Sequence, residues 1–530
     1  MIYRFYAINI KEVEDKTAKM LFTPESGLAH HCLLISRCLL YPSYVSFNCL
    51  LSLYITTFQE EKTPNYVLLK KIFLTPVYAA FFVLFLPIML VFLPIRCALL
   101  YVRRPFMCSQ HHTPYTDWQT QVLKNAIDKG FHKFGVATAN LCLMPELASK
   151  MNHLTNVSYR ARKIGEKIIT SQFFDREWEK EELEMKMYSS NIEAKSCREN
   201  GLIGCAGDNT ENQQKPVDQC LEGDVSTDFP VVDVFAIQEA WSSYQNKLLI
   251  QQLQKIFPYI VHDAGVHAFR NNAFFLNSGL LIASKHPISA VDFKAYTCFV
   301  KHGKLLSNGL LMTQLLLGSS KANNRNRYIG YVFNTHLQSY QGKDQIIPKQ
   351  LDEMLDWIKQ FKAENTKFGD IELFCLVCGD FNFDNFSPAD RESSQHPLFT
   401  EFSDFCRVQA NLDKSWTVGT ELRPEFMHDN IVSTPEGLKT VLEDQALRQC
   451  HLVDADIVEH CKEAIVTGTV KKDAQGNVLI FPEGGRRRID YILSGRSSPL
   501  NVAGYHFVTK LATLTDHIPV AMEFTCPKLH

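Results

Sequence analysis

The chain has 530 residues, of which 46% are hydrophobic and 21% charged, and its formal net charge is -2. These proportions suit folded domains with sizeable cores and exclude a chain disordered throughout. The balance also lacks the basic surplus that holds a nucleic-acid backbone, so no nucleic-acid partner is expected. Sixteen cysteines fall at irregular spacings; a chain this long needs no disulfide staples, and they read as reduced thiols.

Residues 1–27 form an N-terminal extension, and 28–104 hold two apolar stretches. The first, Cys32 to Thr57, carries Arg37 and Pro42 and reads as a shallower partner. The second, VYAAFFVLFLPIMLVFLPI at 77–95, has no charge and is closed by Arg96, Arg103 and Arg104. It is long enough to reach across a bilayer, with its basic flank on the cytosolic side. Pro76, Pro87 and Pro94 argue against a straight spanning helix and make a re-entrant or hairpin path an equal expectation. Residues 105–133 read as a juxtamembrane linker.

From Phe134 the pattern changes. Short apolar runs at Phe134–Leu143, Val231–Ile237, Leu276–Ala283, Tyr328–Thr335, Ile371–Cys378, Ile489–Leu493 and Ile518–Phe524 read as buried strands. Leu351, Met354, Leu355, Ile358 and Phe361 recur at helical spacing, as do Leu248, Leu249, Leu253 and Ile256, so each set gives a helix one apolar face to lay on a sheet. Residues 134–526 are therefore expected to form one layered α/β domain. The run 175–228, charged and then rich in Gly, Asn and Gln, reads as a polar, mobile surface insertion.

Several polar residues sit where strands end, which is where open α/β sheets keep their sites. Glu239 ends the run from Val231, and one carboxylate there, completed by water and a substrate phosphate, is how Mg²⁺ is commonly held. Asn140 ends the first strand. Gly379-Asp380-Phe381-Asn382 leaves another, with Asp380 and Asn382 two apart and able to point the same way, toward a water and a phosphate oxygen. His336 closes a further strand and could protonate a leaving oxygen while His517, beside Asp516, takes a proton from water. Asp490 could accept a hydrogen bond from His517 and fix its tautomer. Arg486, Arg487 and Arg488 fit a solvated basic turn or a phosphate contact equally. The lone Cys375-x-x-Cys378 has no partner pair and reads as strand packing.

Taken together, Asn140, Glu239, His336, Gly379-Asp380-Phe381-Asn382, Arg488-Ile489-Asp490-Tyr491 and Thr515-Asp516-His517 occur in the order seen in the DNase I-like endonuclease/exonuclease/phosphatase superfamily. The strings FGVATANLCL (134–143), LNSGLLIAS (276–284), VCGDFNFDN (377–385) and LATLTDHIPVAM (511–522), behind two apolar segments, resemble the membrane-anchored neutral sphingomyelinases. The resemblance implies a four-layer α/β sandwich, two mixed sheets flanked by helices, behind an N-terminal membrane hairpin. It also implies hydrolysis of sphingomyelin to ceramide and phosphocholine, dependence on Mg²⁺ with Mn²⁺ as a substitute, activation by anionic phospholipids, and a catalytic domain facing the cytosol. It assigns Glu239 to the metal with Asn140 close by, Asp380 and Asn382 to water and phosphate, and His517 to the general base. Asp490 orients that base with Asp516 beside it, His336 is the acid, and Asn277 falls in a motif near the site.

The chain departs from this resemblance at Gly303 and Asn308, where the family carries an aspartate and a lysine linked to switching the site on, and at Gln338, where a second histidine is usual. The organelle and the oligomeric state are not written in the sequence. Two further readings stay open: a phospholipase C-type hydrolase of another choline or glycerol lipid, and a membrane scaffold with a weakened site.

Overall fold

A computed structural model describes residues 27–102, 105–111, 133–172, 223–242, 244–265, 277–319, 326–461 and 470–526. The N-terminal extension up to residue 26, Arg103 and Arg104, most of the 105–133 linker and residues 175–222 of the insertion lie outside the described residues.

The apolar runs become strands of two sheets. The first sheet takes β1 (Met107–Gln110), β2 (Lys133–Asn140), β3 (Asp224–Ser226), β4 (Val234–Gln238), β5 (Tyr259–His262) and β6 (Leu281–Ser284). The second takes β7 (Ile288–Ala295), β8 (Gly309–Ser319), β9 (Arg327–His336), β10 (Asp370–Asp380) and β11 (Phe402–Asp404). A small separate ribbon joins β12 (Arg407–Gln409) to β13 (Leu412–Asp413). The chain then returns to the second sheet with β14 (Asp490–Gly495) and to the first with β15 (Asn501–Val508) and β16 (Val520–Thr525). The spatial orders are β1-β5-β6-β4-β2-β16-β15-β3 and β11-β14-β10-β9-β8-β7. Asp224–Ser226, at the end of the run expected to be insertion, pairs in parallel with β15.

Period-2 alternation gives each sheet two apolar faces. In β10, Phe374, Leu376 and Cys378 enter the core between the sheets, while Cys375 and Val377 face the outer core. The inner core is sealed by Phe134 against Phe374 and Phe524, with ring centroids 5.3 and 5.7 Å away. Each such ring, fully buried, stabilises the fold by about 2–3 kcal/mol relative to leaving it exposed. Outside the second sheet lies α4 (Ile346–Asn365), which buries Leu351, Met354, Leu355, Ile358 and Phe361. Outside the first lie α3 (Asn246–Leu253) and a helical run at 157–172, packed through Leu249, Leu253, Ala161, Ile164 and Ile168. Helix, sheet, sheet, helix is the four-layer sandwich expected.

Two long helices precede it. Helix α2 (Pro64–Val102) runs unbroken through Pro76, Pro87 and Pro94. Helical structure continues past all three prolines, as apolar helices permit where neighbouring helices and local adjustment re-satisfy the freed backbone groups. Within the span Pro64–Leu100 the most apolar 18-residue window has a mean hydropathy of 2.5, and none of that window is buried. At about 1.5 Å per residue the whole span exceeds the roughly 30 Å hydrocarbon layer. Helix α1 (Gly27–Ser52), the shallower partner, packs antiparallel on α2: Arg96 donates to the Leu33 carbonyl (3.1 Å), and Ser43 to that of Phe85 (3.1 Å). Another part of α1 touches the sandwich, where Asn48 accepts from the Leu147 N–H (3.1 Å) and Tyr44 meets Ser242 (3.3 Å). The α1 helix thus lies between the apolar helix and the catalytic domain.

Candidate active site

Sheet direction gathers the predicted residues at one edge. Strands β2 and β4 are parallel, as are β9 and β10, so Asn140, Glu239, His336 and Asp380 all leave strands at their carboxyl ends. The antiparallel β14 and β16 bring their starts to the same edge. The register places Asp380 opposite both His336 and Asp490.

At the centre, His517 Nδ1 lies 2.9 Å from Asp490 Oδ2, and its Nε2 is 3.9 Å from Asp380 Oδ2. Burial opposes a charged imidazolium, but Asp490, Asp380 and Asp516 outweigh it and raise the His517 pKa well above its ordinary value. Burial pushes Asp490 up to about 6, so at neutral pH it remains the carboxylate that orients the ring. Among the described residues, Asp380, Asp490 and His517 are the group of possible ligands whose donor atoms lie within 4.8 Å of one another.

Asp380 is held from two sides, by the Asn140 amide at Oδ2 (2.9 Å) and the Asn382 N–H at Oδ1 (2.9 Å). His336 Nε2 stands 3.5 Å from Asp380 Oδ2 and 3.9 Å from Glu239 Oε1, with its ring stacked on Trp241 at 5.8 Å. An imidazolium there would be flanked by two carboxylates, which suits a proton donor. Glu239 adopts a left-handed backbone (φ 58°), uncommon for a non-glycine residue and a mark of functional turns. Its Oε2 is buried without a hydrogen-bond partner. Burial, then Asp516 and Asp380, push its pKa up to about 8. A buried oxygen without a donor, among other carboxylates short of positive charge, fits a divalent cation.

The other predicted residues sit further out. The Asn382 amide nitrogen donates one hydrogen to the Leu337 carbonyl (3.1 Å), propping the turn after His336, and keeps a second hydrogen that a phosphate oxygen could accept. Asp516 accepts from Asn152 (3.3 Å) and acts on Glu239 and His517 through its charge. Asn277 bonds Asp263 (2.8 Å) and the Gly279 N–H (3.1 Å), and the Gly279 carbonyl accepts from Ala240 N (2.8 Å). It therefore supports the Glu239–Trp241 turn.

Within the arginine run, Arg486 is partly exposed and donates to the Ser415 carbonyl (3.3 Å), whereas Arg487 and Arg488 are neither a solvated turn nor a phosphate contact. Arg487 and Arg488 are each 1% exposed. Arg487 bonds Asp384 (2.8 Å), Asp390 (3.2 Å) and Glu421 (2.8 Å); Arg488 bonds Asp404 (2.6 Å) and Asp413 (3.2 Å). Carboxylates scattered from 384 to 421 capture both guanidinium groups, a pairing that local sequence does not reveal.

Thr420 also escaped the sequence reading. Its Oγ1 accepts from the N–H groups of Ile489 (3.0 Å) and Asp490 (3.2 Å), pinning the turn that carries Asp490. The departures at 303 and 338 touch: a Cβ on Gly303 would lie 2.2 Å from Gln338 Oε1, which itself accepts from Val300 N (3.3 Å). An aspartate at 303 would require Gln338 to move. Asn308 keeps a buried Oδ1 without a hydrogen-bond partner. The described cysteines are free, and Cys375 and Cys378 are buried in β10.

The model of the Endonuclease/Exonuclease/phosphatase family matches residues 213–517. Sphingomyelin phosphodiesterase 5 of Danio rerio is 28% identical over 502 residues, 86% of this chain and 88% of that protein. Sphingomyelin phosphodiesterase 3 of Homo sapiens is 34% identical over 319 residues, 58% of this chain but 46% of that longer protein. Among solved structures, sphingomyelinase C from Streptomyces griseocarneus is similar over 74% of this chain and 99% of that one, with a TM-score of 0.36 and 14% identity.

Proposed function

The chain belongs to the Endonuclease/Exonuclease/phosphatase family, and on that footing we propose that it hydrolyses sphingomyelin to ceramide and phosphocholine at a membrane surface. It is a phosphodiesterase hydrolase. The observation that carries the substrate proposal is a buried His–Asp dyad facing Asp380, in a chain similar along most of its length to a sphingomyelin phosphodiesterase.

In the proposed reaction, His517 Nε2 takes a proton from water while Asp490 holds Nδ1 and stabilises the imidazolium that forms. The water oxygen bonds to phosphorus as the bond to the ceramide oxygen breaks, and His336 gives that oxygen its proton. Asp380, steadied by Asn140 and the Asn382 N–H, orients the water, and Trp241 fixes the His336 ring. Glu239, with Asn140 close by, would hold Mg²⁺, or Mn²⁺ in its place, and the ion would supply charge stabilisation to the phosphoryl oxygens.

The exposed apolar helix α2 supports anchoring beside the lipid substrate, with the catalytic domain on the cytosolic side and anionic phospholipids as activators. Asn156, in the acceptor sequence Asn156-Val157-Ser158, is exposed, so the cytosolic placement predicts that it carries no glycan in cells. A glycan there would reverse the topology. Phosphocholine release from sphingomyelin by the purified full chain, with and without chelator, tests the activity; sphingomyelin left intact while other choline lipids are cleaved would replace the substrate.

A further inference from the structure

The reacting groups come from both sheets. Asn140 and Glu239 leave strands of the first, while His336 and Asp380 leave strands of the second. Ladder hydrogen bonds fix each residue within its own sheet. Between the sheets, the inward side chains behind the site include Val136, Val234, Ala236, Val332 and Leu376, and apolar packing of this kind has no direction. The 3.9 Å that separates Glu239 Oε1 from His336 Nε2 is therefore not set by the ladders or by the apolar layer alone.

A polar network lies directly behind these two residues. Gln238 ends β4 and precedes Glu239, and Asn334 stands two residues before His336 in β9, on the same face. Both are fully buried, as is Thr138 of β2. Gln238 Nε2 donates to Asn334 Oδ1 (2.7 Å) and to the Thr138 hydroxyl (2.9 Å), which in turn reaches Gln238 Oε1 (3.4 Å). The β4–β6 ladder ends at the pair Ile237–Leu281, and Asn334 Nδ2 donates to both of their carbonyls, at 2.8 and 3.0 Å. One side chain of the second sheet thus holds three groups of the first.

Both hydrogens of each amide are used. Burying an amide is unfavourable unless it is bonded, and a fully paired network in an apolar layer holds one arrangement of the elements that contribute to it. Apolar side chains of the same size would fill the space without fixing the offset between the sheets.

We infer that Gln238 and Asn334 are positioning residues for the proton donor: their bond sets the offset between the sheets that brings His336 beside Glu239 and the reacting phosphate. Another bond across the sheets, from Asn140 to Asp380 (2.9 Å), belongs to the site itself. The Gln238–Asn334 bond acts through Glu239 and His336 rather than on the substrate. This inference deepens the proposed reaction and rests on the reading of His336 as the acid that protonates the leaving oxygen.

The test is leaving-group dependence. 4-Nitrophenyl phosphorylcholine and phenyl phosphorylcholine share a headgroup, but 4-nitrophenolate departs without a proton, whereas the more basic phenolate gains from one. The purified full chain in Mg²⁺ is compared with Gln238→Met, Asn334→Leu and His336→Ala on both esters, with a melting curve for each. His336→Ala should lose at least about tenfold more kcat on the phenyl ester than on the 4-nitrophenyl ester. Gln238→Met and Asn334→Leu should show the same selective loss, by roughly threefold to tenfold, with KM near that of the parent. Asn334→Leu strips two carbonyls of their donor; if it does not fold, Gln238→Met, which leaves both of those bonds in place, carries the test. A folded Gln238→Met that loses equally on the two esters, or loses nothing, while His336→Ala shows the selective loss, overturns the positioning role and leaves the acid standing. Equal losses in His336→Ala remove the acid and the inference with it. Sphingomyelin left intact by a parent that cleaves both esters sinks the substrate reading alone, and the ester pair still decides the positioning role.

Discussion

Replacing Asp490 by asparagine changes almost no volume and removes the charge 2.9 Å from His517 Nδ1. Two effects follow. The asparagine amide can present its NH₂ to Nδ1, which moves the ring proton to Nε2, the nitrogen that must accept from water; losing a correctly protonated base costs roughly 10²–10⁴ in turnover. The second effect is on pH. Among the groups that raise the His517 pKa, Asp490 is the largest, and burial works the other way. The base functions only when neutral, so activity rises with pH through the folded-state pKa of His517. Without Asp490 that pKa falls and the acidic limb moves to lower pH. Removing one partner of this buried pair also costs stability, so a melting curve is run to show that the variant is folded at the assay temperature. The assay is diester cleavage from about pH 5 to 10, alongside a melting curve. A plateau within about threefold of the parent, or an unmoved acidic limb in a folded variant, would refute the orienting role of Asp490.

Thr420→Val should leave two buried N–H groups unsatisfied, costing about 1–3 kcal/mol of stability and about tenfold in turnover, whereas Thr420→Ser should restore both; equal losses in the two variants would remove the hydroxyl from the explanation. Glu239→Gln should weaken Mn²⁺ binding, followed by calorimetry or spin resonance, by at least about tenfold, and unaltered binding would move the ion elsewhere. At the far edge of the first sheet, burial opposes charging of His506, but its bonds to Asp224 and Glu523 prevail and raise its pKa to about 9. A raised histidine pKa gives stability that is complete below about pH 6.5 and is lost as pH rises through about 9. Discounted for the exposure of Asp224, the contribution is on the order of 2 kcal/mol. His506→Gln should therefore flatten the fall in melting temperature over that window, and an unchanged slope would count against the cluster.

The sequence was most informative where one chemical property repeats. Apolar runs marked seven strands of the sandwich, and the face of α4 could be read from Leu351 to Phe361. Strands β7 and β15 are less legible, because ISAVDFKA and NVAGYHFV mix polar and apolar residues that only pairing with β8 and β16 organises. Site residues at strand ends were visible for the same reason, since a polar residue closing an apolar strand is conspicuous. Thr420, Glu421 and the partners of Arg487 were not, because their roles arise from contacts between segments about 65 to 105 residues apart. The three prolines of α2 are a local signal whose outcome depends on packing: each removes a backbone donor, yet helical structure continues through all of them where α2 lies antiparallel on α1.

The central claim is that His517, oriented by Asp490, activates water against a sphingomyelin phosphodiester. Phosphocholine release from sphingomyelin vesicles containing anionic lipid and Mg²⁺, compared between the parent chain and His517→Ala, tests it most directly. The expected result is release by the parent that chelator abolishes, falling by about 10²-fold or more in the variant. Release by His517→Ala at near the parent rate would contradict it.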